Sequence, residues 1–303
     1  MAIVMFLAGL ALLVLGGELL VRGAAAVALQ FGLSPLVIGL TVVGFGTSAP
    51  ELMVSLQAAL TGRPGLAIGN ALGSNIANIL LILGVSAAIA PLALTFRLLL
   101  RDLAVMMVAT AAIWLMLLDG RVGRGDGLML VAGLVLFLFL ALKSAAPMPE
   151  AAPAKAAAPA LGWMITVTGL VVLVIGTRFL VDGASAIARG LGVTEAVIGL
   201  TIVAVGTSLP ELATSVIAAR RQQSDIAVGN VIGSNIFNIF GIVGITALIA
   251  PIPADPRFAG TDMPWVAASA LAVVLFSLLR GGLSRKVGFG LLAVYALYVV
   301  LMM

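Results

Sequence analysis

Two glutamates stand inside apolar stretches of this chain, Glu51 in "GTSAPELMVS" and Glu211 in "GTSLPELATS". A carboxylate within a membrane-crossing segment costs at least a few kcal/mol and normally faces the interior of a helix bundle, so both are candidates for function. Hydroxyls accompany them. Thr47, Glu51 and Ser55 follow one another at intervals of four, as do Thr207, Glu211 and Ser215, which puts each carboxylate on a hydroxyl-bearing helix face. A second pair of stretches, "GNALGSNIAN" and "GNVIGSNIFN", repeats the spacing with Asn70, Ser74 and Asn78 and with Asn230, Ser234 and Asn238. Carboxylates, hydroxyls and amide oxygens suit hard cations such as calcium, magnesium, manganese or sodium, and do not suit zinc or copper. Two ionised glutamates close together repel unless cations neutralise them. One divalent ion or a few monovalent ions would do so, and competition between those fillings is the physical basis of an exchanger.

The backbone around the carboxylates points the same way. Pro50 has no N–H to donate and its ring clashes with the carbonyl of Gly46; Pro210 does the same to Gly206. With Gly44 and Gly46 nearby in one copy and Gly206 in the other, both helices are expected to break near the middle of the membrane. Broken helices at matching places in two halves are a sequence pointer to a transporter's binding site.

The elements that must hold these residues are apolar almost throughout. Of 303 residues, 62% are hydrophobic and 9% charged, which excludes a soluble globule. Continuous apolar runs of membrane-spanning length indicate helices, where a barrel would show short alternating segments. There is no cysteine or histidine, which removes disulfides, thiolate nucleophiles and imidazole metal sites. The net charge of +4 is scattered singly between apolar runs and forms no nucleic-acid-binding stripe.

The expected architecture is an all-α polytopic membrane protein with ten spans, at 2–28, 34–60, 66–90, 98–118, 126–143, 161–188, 194–219, 226–250, 264–280 and 284–302. Sliding the chain by 160 positions lays "VIGLTVVGFGTSAPELMVS" on "VIGLTIVAVGTSLPELATS", so the chain divides into two five-helix repeats, 1–143 and 161–303. An odd number of spans per repeat makes the second copy inverted. Between them, 144–160 is Ala/Pro-rich and reads as a linker. The first span is read as a retained helix, since "GELLVRGA" aligns with the internal "TRFLVDGA". Arg and Lys lean toward the linker's side, which puts both termini outside and the linker in the cytoplasm of a prokaryotic inner membrane.

Other polar and small residues have structural readings. Gly69 and Gly73, with Gly229 and Gly233, form spacings suited to close helix packing. Asn75 and Asn235 can tie helices together. Glu18 with Arg22, and Arg178 with Asp182, are spaced as local i,i+4 pairs. Asp102 and Asp262 lie beside Arg101 and Arg257 near span ends and read as interface charges.

The motif pairs "GTSAPE…GNALGSNIAN" and "GTSLPE…GNVIGSNIFN" resemble the two α-repeats of the calcium:cation antiporter superfamily, and look most like its prokaryotic sodium/calcium exchanger branch. The resemblance implies ten helices with ion sites among the second, third, seventh and eighth, and alternating access by sliding of the first and sixth. It implies metal ligands at Glu51 and Glu211, at Thr47, Ser48, Thr207 and Ser208, and at Ser74 and Ser234. The carbonyls of Gly44 and Ala204 would join them, with Asn78 and Asn238 mid-site. Some exchangers in this superfamily carry an aspartate where Asn78 or Asn238 stands here, so this site holds two formal charges. Proton-coupled relatives carry a glutamate where this chain has Gly73 and Gly233, which favours sodium. The linker is too short for a calcium-sensing insertion.

The expected function is therefore a secondary antiporter exchanging calcium for sodium, with the two ions and the bilayer as its only partners and no cofactor. The alternatives are a proton-coupled or other divalent-cation exchanger, and a cation channel lined by the glutamates. Catalysis is not expected, because the serines near Glu51 have no histidine or lysine close by in sequence.

Overall fold

The computed structural model describes residues 1–143, 159–191 and 204–302, and these are mostly helical. The expected linker at 144–160 lies, up to residue 158, outside the described residues, as does the first part of the expected span 194–219. Helix α1 covers Ala2–Phe31. The second span is α2 (Pro35–Ile38), a π-helical turn (Gly39–Val43), α3 (Gly44–Thr47) and α4 (Ala49–Leu60). The third runs from α5 (Pro64–Ala77) through a π-helical stretch (Asn78–Leu83) into α6 (Gly84–Ile89). Helices α7 (Phe96–Leu117) and α8 (Arg124–Lys143) complete the first half.

The second half repeats the plan. It comprises α9 (Pro159–Gly190), α10 (Ala204–Thr207), α11 (Leu209–Arg220) and α12 (Ser224–Phe237), then a π-helical stretch (Asn238–Val243) leading into α13 (Gly244–Ile249). Helices α14 (Met263–Arg280) and α15 (Arg285–Met302) follow. Among the described residues eight helices are long and apolar enough to cross a membrane, and a ninth span arises if α2–α3 and α4 count as one bent element. Two-stranded ladders join loops across the halves: β1 (Leu92–Ala93) pairs with β4 (Gly282–Leu283), and β2 (Arg121–Val122) with β3 (Ile252–Pro253).

The expected break in the second span falls at Ser48, where ψ opens to 6° and the axis turns by 44°. Pro50 then sits in the first turn of α4, the one place in a helix where its missing N–H costs nothing. Ser208 repeats this with ψ 6°, and Pro210 sits in the first turn of α11.

The third span and its counterpart form the core; every residue from Ile226 to Phe237 is buried. The outer helices instead expose leucine, valine and phenylalanine, as a lipid-facing surface requires. Gly229 and Gly233 approach the backbone of Leu36 to Leu40 so closely that a Cβ on Gly233 would lie 2.2 Å from the Leu40 carbonyl oxygen. Gly69 and Gly73 make no comparable approach among the described residues.

A longer glycine seam joins α1 to α9. Gly9, Gly16 and Gly23 meet Leu180, Leu173 and Thr166, while Gly169, Gly176 and Gly183 meet Leu20, Leu13 and Phe6. The pairs descend along one helix as they ascend along the other, so α1 and α9 run antiparallel with a glycine at every seventh residue on each side. Without side chains at these points the backbones touch directly, the arrangement that gives helices most dispersion contact in lipid.

The packing around the seam is lopsided. Helix α1 lies along α11, whereas α9 makes almost no contact with α4, which occupies the matching place in the first half. Ile217 of α11 is correspondingly half-buried and Gln57 of α4 exposed. Glu18 takes part in the α1–α11 packing. It pairs with Arg22 at 2.9 Å, as its spacing implied, and also with Arg221, whose Nε lies 2.9 Å from Glu18 Oε2. Among the described residues no ion pair involves Arg178 or Asp182, the matching positions, which corrects the local pairing expected of them; both are exposed. Asp102 also departs from expectation: it pairs with Arg101 at 2.6 Å but is fully buried rather than interfacial.

Candidate functional site

The breaks at Ser48 and Ser208 bring the two halves into contact through their carboxylates. Ser48 Oγ donates to Glu211 Oε1 at 2.8 Å, and Ser208 Oγ donates to Glu51 Oε1 at 3.1 Å. Each glutamate is thus held by a serine of the other half. A helix that continued straight past Ser48 would aim that hydroxyl elsewhere, so the proline-led break positions the contact. Both glutamates are about 1% exposed.

The remaining sequence-derived residues extend the network. Ser74 Oγ lies 3.5 Å from Ser208 Oγ, and Ser234 Oγ donates to the Gly44 carbonyl at 3.2 Å. Thr47 Oγ1 lies 3.1 Å from Asn230 Oδ1 and 3.0 Å from the Val43 carbonyl. Thr207 is buried, and Ala204 opens the short helix that carries it. The Gly44 carbonyl already accepts from Ser234, Thr47 Oγ1 and the Ser48 N–H, so it is a hydrogen-bonded oxygen and not a free one.

Asn70 and Asn230 act differently from what their spacing with the serines suggests. Asn70 Nδ2 donates to the Glu51 carbonyl at 3.1 Å and to Ser55 Oγ at 2.9 Å; Asn230 Nδ2 donates to the Glu211 carbonyl at 3.2 Å and to Ser215 Oγ at 2.9 Å. They clamp the first turn after each break to the adjacent span. Asn75 and Asn235 do tie helices together, as their position suggests. Asn75 Nδ2 donates to the Asn235 carbonyl at 3.2 Å, and Asn78 and Asn238 donate to Asn235 Oδ1 and Asn75 Oδ1 at 3.1 and 3.0 Å. Asn78 and Asn238 also open the two matching π-helical stretches, a feature that often accompanies functional sites and that the residue spacing did not reveal.

What the network leaves over is informative. Glu51 Oε2, Glu211 Oε2, Asn78 Oδ1 and Asn238 Oδ1 are buried and have no hydrogen-bond partner among the described residues. Buried polar atoms are almost always satisfied, and these four are all acceptors, two on the glutamates held by Ser48 and Ser208 and two on the asparagines held by Asn75 and Asn235. Such a set fits a hard cation, with two carboxylate charges for it to neutralise. Among the described residues no three Asp, Glu, His or Cys side chains are grouped so as to hold a metal ion, and Glu51 and Glu211 carry two formal charges between them.

The sequence model of the sodium/calcium exchanger protein family matches residues 1–143 and 161–303. The chain belongs to this family. It is 41% identical over 295 residues to the putative antiporter CaxA of Alkalimonas amylolytica, covering 94% of this chain and 92% of that one. It is 38% identical over 303 residues to the inner membrane protein YrbG of Escherichia coli, covering 96% and 92%. Its fold superposes with a TM-score of 0.89 and 34% identity on the sodium-calcium exchanger NCX_Mj soaked with 10 mM Na+ and zero Ca2+, over 99% of this chain and 98% of that one. This member of the exchanger family is therefore an integral membrane protein whose class of activity is cation exchange.

Proposed function

We propose that this exchanger moves calcium against sodium by alternating access at a single site centred on Glu51 and Glu211. The observation that carries the reading is the set of four buried, unpartnered oxygens on Glu51, Glu211, Asn78 and Asn238. Ser48, Ser208, Thr47, Thr207, Ser74 and Ser234 line the same site, with the carbonyls of Gly44 and Ala204 beside it. One calcium ion or two sodium ions would balance the two carboxylates, so either filling excludes the other. The architecture that goes with this is ten spans in two inverted five-helix repeats joined by residues 144–160. Both termini would be outside the inner membrane and the linker in the cytoplasm. Support for alternating access comes from the lopsided packing of α1–α9, closed along α11 and loose along α4.

The test is sodium-driven uptake of radioactive calcium into proteoliposomes, repeated with a proton gradient and with competing manganese. Glu51→Gln and Glu211→Gln should each abolish uptake while leaving the protein monodisperse. Undiminished exchange in either variant would sink the two-glutamate site. Uptake driven equally well by protons would overturn the sodium coupling, and single-channel currents would replace the antiporter with a channel.

A further inference from the structure

Asparagine is an awkward ligand for a cation. One end of its amide accepts and the other donates, so an amide turned by half a rotation presents N–H groups to the ion instead of an oxygen. A carboxylate has no such problem, because both of its oxygens accept. Wherever an asparagine is to serve a cation, something must decide which way its amide faces.

The hydrogen bonds behind the site make that decision for Asn238 and Asn78. The chain of constraint begins at a backbone carbonyl, that of Asn235, which a packed helix holds in place. Asn75 Nδ2 donates to it at 3.2 Å, so the Asn75 amide has its NH2 committed and its Oδ1 turned the other way. That Oδ1 accepts from Asn238 Nδ2 at 3.0 Å. With its NH2 consumed, Asn238 keeps its own Oδ1 buried and without a partner. The mirror arrangement runs through Asn235, whose Oδ1 accepts from Asn78 Nδ2 at 3.1 Å and leaves Asn78 Oδ1 equally unpartnered. Asn235 itself is less firmly fixed. Its Nδ2 faces the thioether sulfur of Met106 at 3.8 Å, a weak acceptor where Asn75 has a carbonyl.

Neither Asn75 nor Asn235 has a side-chain atom directed at Glu51 or Glu211; each acts through the asparagine of the opposite half. We infer that Asn75 and Asn235 are positioning residues that fix the amides of Asn238 and Asn78 with their oxygens toward the ion. This rests on the reading of the site as a cation site, and it assigns to the "SNxxN" spacing a task beyond tying helices together. Because Asn75 is anchored on backbone and Asn235 on sulfur, the fixed orientation is stronger at Asn238 than at Asn78.

A double-mutant cycle separates positioning from packing. Leucine at position 75 keeps the volume and removes the acceptor. In otherwise wild-type protein, Asn75→Leu should raise the calcium concentration for half-maximal sodium-driven uptake by about three- to tenfold, the order of one lost hydrogen-bond preference. In the Asn238→Asp background the same substitution should change it by less than about twofold, since a carboxylate has no wrong way to face. An equal penalty in both backgrounds would show that Asn75 only packs, and would overturn the inference. The mirror cycle, Asn235→Leu with and without Asn78→Asp, gives the same discrimination if Asn75→Leu yields no folded protein, and is expected to show a smaller penalty. Wild-type protein that neither binds nor exchanges calcium would overturn the ion-site reading together with the inference; intact wild-type exchange with equal penalties would overturn the positioning alone.

Discussion

The α1–α9 seam makes a prediction that neighbouring glycines can control. A Cβ on Gly16 would stand 2.6 Å from the Leu173 nitrogen and 3.0 Å from the Gly169 carbonyl oxygen, against the 3.4 Å at which ordinary contact begins, a shortfall of 3.4 − 2.6 = 0.8 Å. Both obstacles are backbone, so α1 and α9 must part by about that much. A gap of roughly 0.5–1 Å forfeits a quarter to a half of the dispersion well of each contact it opens. Overpacking of this kind costs about 1–3 kcal/mol. At roughly 2–4 °C per kcal/mol, Gly16→Ala should lower the melting temperature by about 2–12 °C. Gly17, one residue on, would place its Cβ 2.5 Å from Ile217 Cδ1, the free end of a side chain that can rotate away, so Gly17→Ala should cost much less. Gly290→Ala in α15 meets nothing within 4 Å and should be neutral or mildly stabilising, because alanine favours helix. Gly16 and Gly169 face one another, each with the other's carbonyl oxygen 3.0 Å from its would-be Cβ, so the double substitution should cost less than the sum of the two. Melting followed by tryptophan fluorescence, with Trp163 on α9, measures all five variants, the Gly169→Ala single included. Equal melting of the Gly16, Gly17 and Gly290 variants would refute the direct backbone contact.

Asn70→Leu and Asn230→Leu each strand a glutamate carbonyl and a serine hydroxyl, at about 1–3 kcal/mol. Asn230 is fully buried and also lies against Thr47 Oγ1, so its variant should melt lower; equal melting would argue against the clamp. The Glu18–Arg221 pair is about one-third exposed on both sides and contributes only about 0.2–1 kcal/mol. Arg221→Gln should therefore leave folding intact but alter exchange rates up to about fivefold, with a salt dependence that the variant loses. Rates unchanged from low to high salt in the wild type would remove the pair from the transport cycle.

Much of the site was legible because its residues recur in two copies at helical spacing. "GTSAPE" and "GTSLPE" announced the breaks through proline, and the structure puts them at Ser48 and Ser208, between the glycines and the proline of each copy. What stayed hidden depends on contacts far apart in sequence. Nothing near Glu18 signals that Arg221 will reach it, and nothing near Asn70 says that its amide will face the Glu51 carbonyl rather than the ion-facing side. The π-helical stretches at Asn78 and Asn238 escaped because one extra residue in a turn leaves no compositional mark. The seven-residue glycine spacing of α1 and α9 was present in the letters, yet only a facing helix with the same spacing gives it meaning. The burial of Asp102 is hidden for the related reason that closeness to a span end along the chain is not closeness to water.

The lopsided seating of α1 on α11 bears on how the two faces of the protein can be sealed. On the proposed cycle, access reverses when α9 settles on α4 as α1 now sits on α11, and the residue correspondence names what would then meet. Gly17 against Ile217 becomes Thr177 against Gln57, and the Glu18–Arg221 pair becomes Arg178 facing Thr61. Among the described residues Thr177 already holds a buried hydroxyl without a partner, while Gln57 stands exposed. On that cycle one gate would be clasped by charge and the other by hydroxyl and amide. Two doors of the same frame would be hung with different materials, so the α11 side and the α4 side would differ in what it takes to open them.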